Sequence, residues 1–459
     1  MEEGARARIY SWEPITMASG ATLGNNNIET GLTMNKNSSA NASVSASAAS
    51  RHCIYLDYNA TTPVKSSVLL AMMPYLTTEY GNPSSSHAYG KAPAEAVATA
   101  RRQLCEMLNV EYVEQSVVFT GCGTEANNLA IHMALRLQQL KNSTKKHVVT
   151  SNIEHPAILK YLDSQQVSYT MVECDEEGLI HYDDVIKALR RDTALVTIML
   201  ANNESGAVCT DMAKIARECR ARGILCHTDA AQAVGKIHVD LANMDVDFCT
   251  VVGHKIGAPK GIGALYIRPN TSDPSNANDA NLALLYGGGQ EGGLRGGTEN
   301  VPYIVGLGQA AANLAKKETI EKHAEHLRTL RDRLLANLLN HITAHGHPAD
   351  VIRVNGPSDL EKRLPNTLNV SFLNITSANI LADIGDLVAI SAGSACHAGD
   401  ENVVTSSVLQ AMKVPSVYIR GTLRISVGVQ TTLSEVDEAA RIIAQKVHEV
   451  LLKVHVQEK

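Results

Sequence analysis

From Val117 onward, short apolar runs alternate with amphipathic stretches. The runs "VVFT" (117–120), "HVVTS" (147–151), "ALVTIML" (194–200), "ILCHT" (224–228), "DFCTVV" (247–252) and "GALYIR" (263–268) are too short for buried helices and predict strands. Between them, "TEANNLAIHMALRLQQL" (124–140) sets Leu129, Met133, Leu137 and Leu140 on one helical face. Strand–helix alternation of this kind predicts an α/β fold with a mostly parallel sheet covered on both faces. From about Thr319 the pattern changes. A long helix carries Leu327, Leu330, Leu334 and Leu338 on one side, and "NTLNVSF" (366–372), "LVAIS" (387–391) and "GTLRISV" (421–427) predict further strands. The last helix opens at a capping box, Thr432 with Glu435. The predicted organisation is a tail over 1–52, a large domain over 53–318 and a smaller α+β domain over 319–459, with 53–70 packing on the smaller one.

The tail is distinct in composition. "NNNIETGLTMNKNSSANASVSASAAS" (25–50) is rich in Asn, Ser and Ala, cannot bury a core, and is expected to be disordered. It lacks the apolar stretch of a secretory signal, while Arg6 and Arg8 leave organellar targeting open beside a cytoplasmic location. The chain has 459 residues, 44% hydrophobic and 19% charged, with a formal charge of −6, which suggests neither a nucleic-acid nor a membrane footprint. Nine scattered cysteines point to reduced thiols in an intracellular compartment. The Cys226–His227 and Cys396–His397 pairs lack any CxxC or HExxH context, so no metal site is expected.

The residues that terminate each strand change the picture further. Gly121-Cys122-Gly123-Thr124 comes after the first run, Glu154-His155 after the second, Asn202-Asn203-Glu204 after the third, Asp229 after the fourth and Gly253-His254-Lys255 after the fifth. Ligands of open α/β sheets bind at the carboxyl ends of strands, so this clustering predicts one polar site. "GCGT" opening a helix offers free N–H groups and a positive helix end to a phosphate. A phosphorylated pyridine cofactor accounts for the remaining groups together. Pyridoxal 5'-phosphate needs an amine to hold it as a Schiff base, for which Lys255 is the candidate, and a carboxylate to keep its ring nitrogen protonated, for which Asp229 is the candidate. His155 is placed to stack on the ring, Gln232 to donate to its hydroxyl, and Asn203 to contact that hydroxyl or a substrate carboxylate.

With these residues in view, "DYNATTP", "GNPSSSH", "FTGCGTEANN", "NIEH", "IMLANNESGAV", "HTDAAQAVGK", "GHKIGAPKGIGALY", "GGGQEGGLRGGTEN" and "GSACH" resemble the cysteine desulfurases and selenocysteine lyases of the class V aminotransferase group. The resemblance runs from about Tyr55 to about Val447 and looks closest to the selenocysteine lyase branch. It implies pyridoxal-phosphate fold type I, with a mostly parallel seven-stranded sheet and a smaller α+β C-terminal domain. It also implies that Lys255 carries the cofactor, that Asp229 binds the ring nitrogen, and that His155 stacks on the ring. Gln232 and Asn203 would hold the hydroxyl. Gly123, Thr124 and His254 would hold the phosphate, joined by Thr298 from the partner subunit of a homodimer. Arg424 would clamp the substrate carboxylate. Two positions depart from the pattern. Val252 stands where most cysteine desulfurases have a phosphate-binding serine, and Gly296 stands where the lyase branch has proline.

Within "ISAGSACHAGDEN" (390–402), Cys396 is then expected to meet the sulfur or selenium of the substrate, after activation by the site, since a free thiol is mostly protonated at neutral pH. The expected reaction is decomposition of L-selenocysteine to L-alanine with release of reduced selenium. The alternative is a cysteine desulfurase that stores sulfur as a persulfide on Cys396 for an acceptor protein. A third reading is a non-catalytic sulfur-relay partner.

Overall fold

The computed structural model describes residues 53–113, 115–141, 144–269, 271, 281–392 and 406–457. Strand β1 (Ile54–Tyr55) is followed by β2 (Val117–Thr120), β3 (His147–Ser151), β4 (Tyr169–Val172), β5 (Thr193–Thr197), β6 (Leu225–Asp229), β7 (Phe248–Val252) and β8 (Gly263–Ile267). Strands β2 to β8 form one seven-stranded sheet in the order β2-β8-β7-β6-β5-β3-β4. Strand β8 runs antiparallel to both its neighbours, and the other pairs are parallel.

The apolar runs lack alternation because both faces are covered. Val118, Val148, Leu195 and Phe248 pack with Leu129, Met133 and Leu137 of the helix Gly123–Lys141. Their strand neighbours Val117, Val149, Val196 and Cys249 pack on the opposite face with the helices Ala88–Met107, Met212–Ala221 and Val301–Ala312. Strand β5 is shorter than its apolar run: beyond Thr197 it leaves regular geometry, although Ile198 and Leu200 still donate to the carbonyls of His227 and Asp229. Strand β4 has no continuous apolar run to announce it; as an edge strand it keeps Met171 exposed.

The second sheet contains β9 (Ile352–Asn355), β10 (Thr367–Phe372), β12 (Ser391–Ala392) and β13 (Thr422–Ser426), antiparallel in the order β12-β13-β10-β9. Residues 387–391 do not make one strand. The strand is interrupted at Ile390, so that β11 (Val388–Ala389) pairs with β1 while β12 joins β13. Alternation is strict here. Leu368, Val370, Phe372, Leu423 and Ile425 pack on the helices Lys317–Ala344 and Leu433–Gln457. Thr367, Asn369, Ser371 and Arg424 occupy the alternate positions, facing away from that core. The last helix does start at the capping box, with Thr432 N donating to Glu435 Oε2 (2.7 Å) and Glu435 N to Thr432 Oγ1 (3.2 Å).

Candidate active site

The carboxyl ends of β2, β3, β5, β6 and β7 border one cleft with about 940 Å³ of empty space. Gly123, Thr124, His155, Asn203, Asp229, Gln232, His254 and Lys255 all line it, and Arg424 reaches it from the second sheet. Asn59, Asn127 and Cys122 line it as well. Thr298 does not: it is exposed and lies outside the cleft of its own chain. Cys396 and His397 lie outside the described residues.

Asp229 is fixed at both oxygens. Asn127 Nδ2 donates to Oδ2 (2.7 Å) and the Ala231 N–H donates to Oδ1 (2.9 Å). His155 caps the helix Pro156–Ser164, where the Ala157 N–H donates to its Nδ1 (3.1 Å), and burial lowers its pKa. Beside it, Glu154 is buried. Its Oε1 accepts from Ser151 Oγ (2.6 Å) and from the Met199 N–H (2.8 Å), tying the ends of β3 and β5 together. Burial pushes its carboxyl up to about 8, against these two hydrogen bonds.

Lys255 comes after β7 on a short 3-10 turn, and its Nζ donates to the carbonyls of Asn59 and Ala60 (2.8 Å to the latter). Burial, aided by the positive charge of Arg424, lowers its pKa to about 8. Its neighbour His254 is lowered to about 4 by burial and by the two nearby lysines, and its Nδ1 lies 3.1 Å from Thr61 Oγ1. The imidazole is therefore neutral, with one ring nitrogen fixed. Arg424 Nη2 bonds Asp57 Oδ1 (2.9 Å), and its Nη1 donates to the Asn203 carbonyl (3.3 Å).

Val252 explains a glycine. A Cβ on Gly123 would come within 2.4 Å of Val252 Cγ2, so the first residue of the helix must be bare for the valine to fit beneath it. Gly123 and Thr124, at the start of this helix, nevertheless line the cleft, where an anion seat would lie.

Asn59 and Asn127 carry no signal in the pattern of strands, because neither stands at the end of an apolar run; Asp57 does follow one, the short Cys53–Leu56, which is too brief to mark it. "DYNATTP" is the only pointer to two of them. The Cys226–His227 pair is interior: His227 lies between Thr197 Oγ1 (2.8 Å) and Thr250 Oγ1 (3.1 Å) inside the sheet. Among the described residues, no group of three His, Cys, Asp or Glu side chains could hold a metal.

A parallel-sheet cleft with an amine of depressed pKa, an anchored carboxylate, an imidazole and a helix N-terminus defines a phosphate-bearing aldehyde cofactor's chemistry, and the donor set fits pyridoxal phosphate. The aminotransferase class-V family model matches residues 54–439, and the chain belongs to that family of pyridoxal-phosphate enzymes. It is 42% identical over 397 residues to a cysteine desulfurase of Nostoc sp., covering 85% of this chain and 92% of that one. Among solved structures, a NifS-like protein aligns with a TM-score of 0.73 at 32% identity, covering 87% of this chain and 99% of the other. A structure of SspA in complex with cysteine aligns with a TM-score of 0.65 at 32% identity, over 82% and 99% of the two chains. No helix among the described residues is long and apolar enough to cross a membrane.

Proposed function

We propose that this enzyme is a cysteine desulfurase, converting L-cysteine to L-alanine and keeping the sulfur on Cys396 as a persulfide for an acceptor protein. This reverses the order in which the motifs rank the two substrates. The Nostoc desulfurase and the cysteine-bound SspA support cysteine, and neither supports the selenocysteine branch. The observation that carries the reading is the single cleft holding Lys255, Asp229, His155 and Arg424 together.

When bound, pyridoxal phosphate supplies an electron sink for the bonds at the amino acid's α and β carbons. The protein's part comes from its own groups. Gly123 and Thr124 seat the phosphate at the helix end, and His254 assists as a neutral ring. Asp229 holds the proton of the ring nitrogen, and Arg424 pairs with the substrate carboxylate. Lys255, with its amine near pH 8, takes and returns a proton at the α carbon close to neutrality. Cys396 Sγ then bonds to the substrate sulfur as the Cβ–S bond breaks. The electron pair of that bond stays with carbon, and one of the two thiol protons ends there to complete alanine.

Both described flanks of residues 393–405 support the assignment to Cys396. Ser391 on one side is paired with Arg424, and Ser406 on the other donates to Glu204 Oε2 (2.5 Å), next to Asn203. Alanine production from cysteine and from selenocysteine, measured side by side, tests the substrate. The cysteine reading predicts efficient turnover of cysteine with persulfide on Cys396. Turnover of selenocysteine alone would restore the lyase reading.

A further inference from the structure

Behind the cleft lies a fully buried lysine that the reaction does not use. Lys236 is buried, and no carboxylate pairs with it among the described residues. Its Nζ donates to two neutral oxygens, Asn59 Oδ1 (3.1 Å) and Gln232 Oε1. The charged groups around it are cations: Lys255 and Arg424 on the side of the cleft, and Lys65 across an apolar cavity on the other. Burial, together with those neighbours in the cleft, drives its pKa well below the ordinary lysine value. A buried amine without a counter-charge is costly. Its position is set by Gly235, whose φ of +79° turns the chain back so that Lys236 lies under Gln232.

The contacts explain what the cost secures. Gln232 Nε2 donates to the Asn59 carbonyl (3.0 Å), the same oxygen that Lys255 Nζ approaches. With Oε1 on a lysine donor and one Nε2 hydrogen on a carbonyl, the second Nε2 hydrogen is the one left for the cleft that Gln232 lines. In the flipped amide, the Lys236 N–H would lose its acceptor and acceptor would meet acceptor at the Asn59 carbonyl. Lys236 also holds Asn59, whose Nδ2 reaches Thr367 Oγ1 (2.8 Å) on the second sheet and the Asn203 carbonyl (3.2 Å).

We propose that Lys236 is a positioning residue: it clamps Gln232 and Asn59 so that the Gln232 amide presents an N–H, and not its oxygen, to the ring oxygen of the cofactor. The proposal rests on pyridoxal phosphate occupying this cleft. An N–H donor to that oxygen favours the form of the bound cofactor from which the proton has left, so losing the donor moves the pH midpoint of the visible band upward.

The test uses full-length holoenzyme and reads the visible band against pH together with the dissociation constant of pyridoxal phosphate. Lys236→Met should raise the midpoint by about one pH unit and weaken cofactor binding about tenfold, the size of one lost hydrogen bond to a charged group. Its melting temperature should hold or rise, because methionine fills the same space without burying an amine. In a Gln232→Ala background, Lys236→Met should shift the midpoint no further, since its route is gone. Should Lys236→Met fail to fold, Gln232→Glu carries the test. It keeps an oxygen for Lys236 but offers no N–H to the cleft, and should raise the midpoint likewise. An unchanged midpoint in Lys236→Met, or in Gln232→Glu where it stands in, or equal shifts with and without Gln232, would overturn the proposal. A wild-type protein that takes up no pyridoxal phosphate would instead overturn the functional reading beneath it, and this inference with it.

Discussion

The two sheets contribute to the cleft in different ways. The seven-stranded sheet offers its strand ends, and most functional side chains there are held by its own strands and helices: Asp229 by Asn127 and Ala231, Glu154 by Ser151 and Met199, His155 by the helix it caps. Lys255 and His254 lean instead on Asn59, Ala60 and Thr61, near the start of the described chain. The four-stranded sheet offers a face. Its alternation sends Leu423 and Ile425 into one core and leaves Arg424 between them, aimed at the other sheet. Arg424 is held mainly from outside its own sheet, by Asp57 near the start of the described chain and by the carbonyl of Asn203. The strand-end side is therefore suited to fix a cofactor, and the facing side to bind and discharge a substrate.

Breaking the strand-end side should have the largest effect. Lys255→Ala should leave no adduct fixed by borohydride and reduce turnover to background, read by peptide mass spectrometry and alanine assay. In the wild-type chain stripped of cofactor, attachment of added pyridoxal phosphate should slow about tenfold per pH unit below about 8, because only the neutral amine attacks. Loss of Lys255 without loss of the adduct would remove it from that role.

Breaking the facing side should separate substrate from cofactor. Arg424→Gln should leave the visible spectrum intact while KM for the amino acid rises about tenfold to hundredfold, the range expected for losing charge-assisted hydrogen bonds. A lost spectrum with unchanged KM would contradict the division between the two sheets.

The smallest effect sharpens the comparison through stability. The carboxyl of Glu154 keeps its proton to about pH 8 in the folded chain, whereas the unfolded chain loses it near 4.5. Between those values the folded form binds the extra proton, so stability falls as pH rises, and the loss is complete above about 8. Its size is on the order of a few kcal/mol. Glu154→Gln should match the wild type at pH 5 and melt higher at pH 9. Equal melting temperatures at both values would show that Glu154 does not titrate in this way.

The same contrast explains what the chain reveals before it folds. Strand ends are legible because an apolar run stops and a polar residue comes next, which is how Glu154, Asp229 and Lys255 stand out. Parallel strands buried on both faces have no other use for such residues at their ends. Asn59 and Asn127 stay hidden, since one comes after a strand of two residues and the other sits inside a helix. Lys236 is hidden for a different reason: a lysine in a turn resembles a solvated one until packing encloses it. The division of 387–391 between two pairings is equally out of reach, because β1 and β13, which compete for it, lie hundreds of residues apart.

The most direct test of this division of labour is a single turnover with L-cysteine, then peptide mass spectrometry under non-reducing conditions. The account predicts one alanine per active site and a Cys396 peptide heavier by one sulfur atom, while the cofactor remains on Lys255. Alanine formed at the same yield with Cys396 unmodified would contradict it.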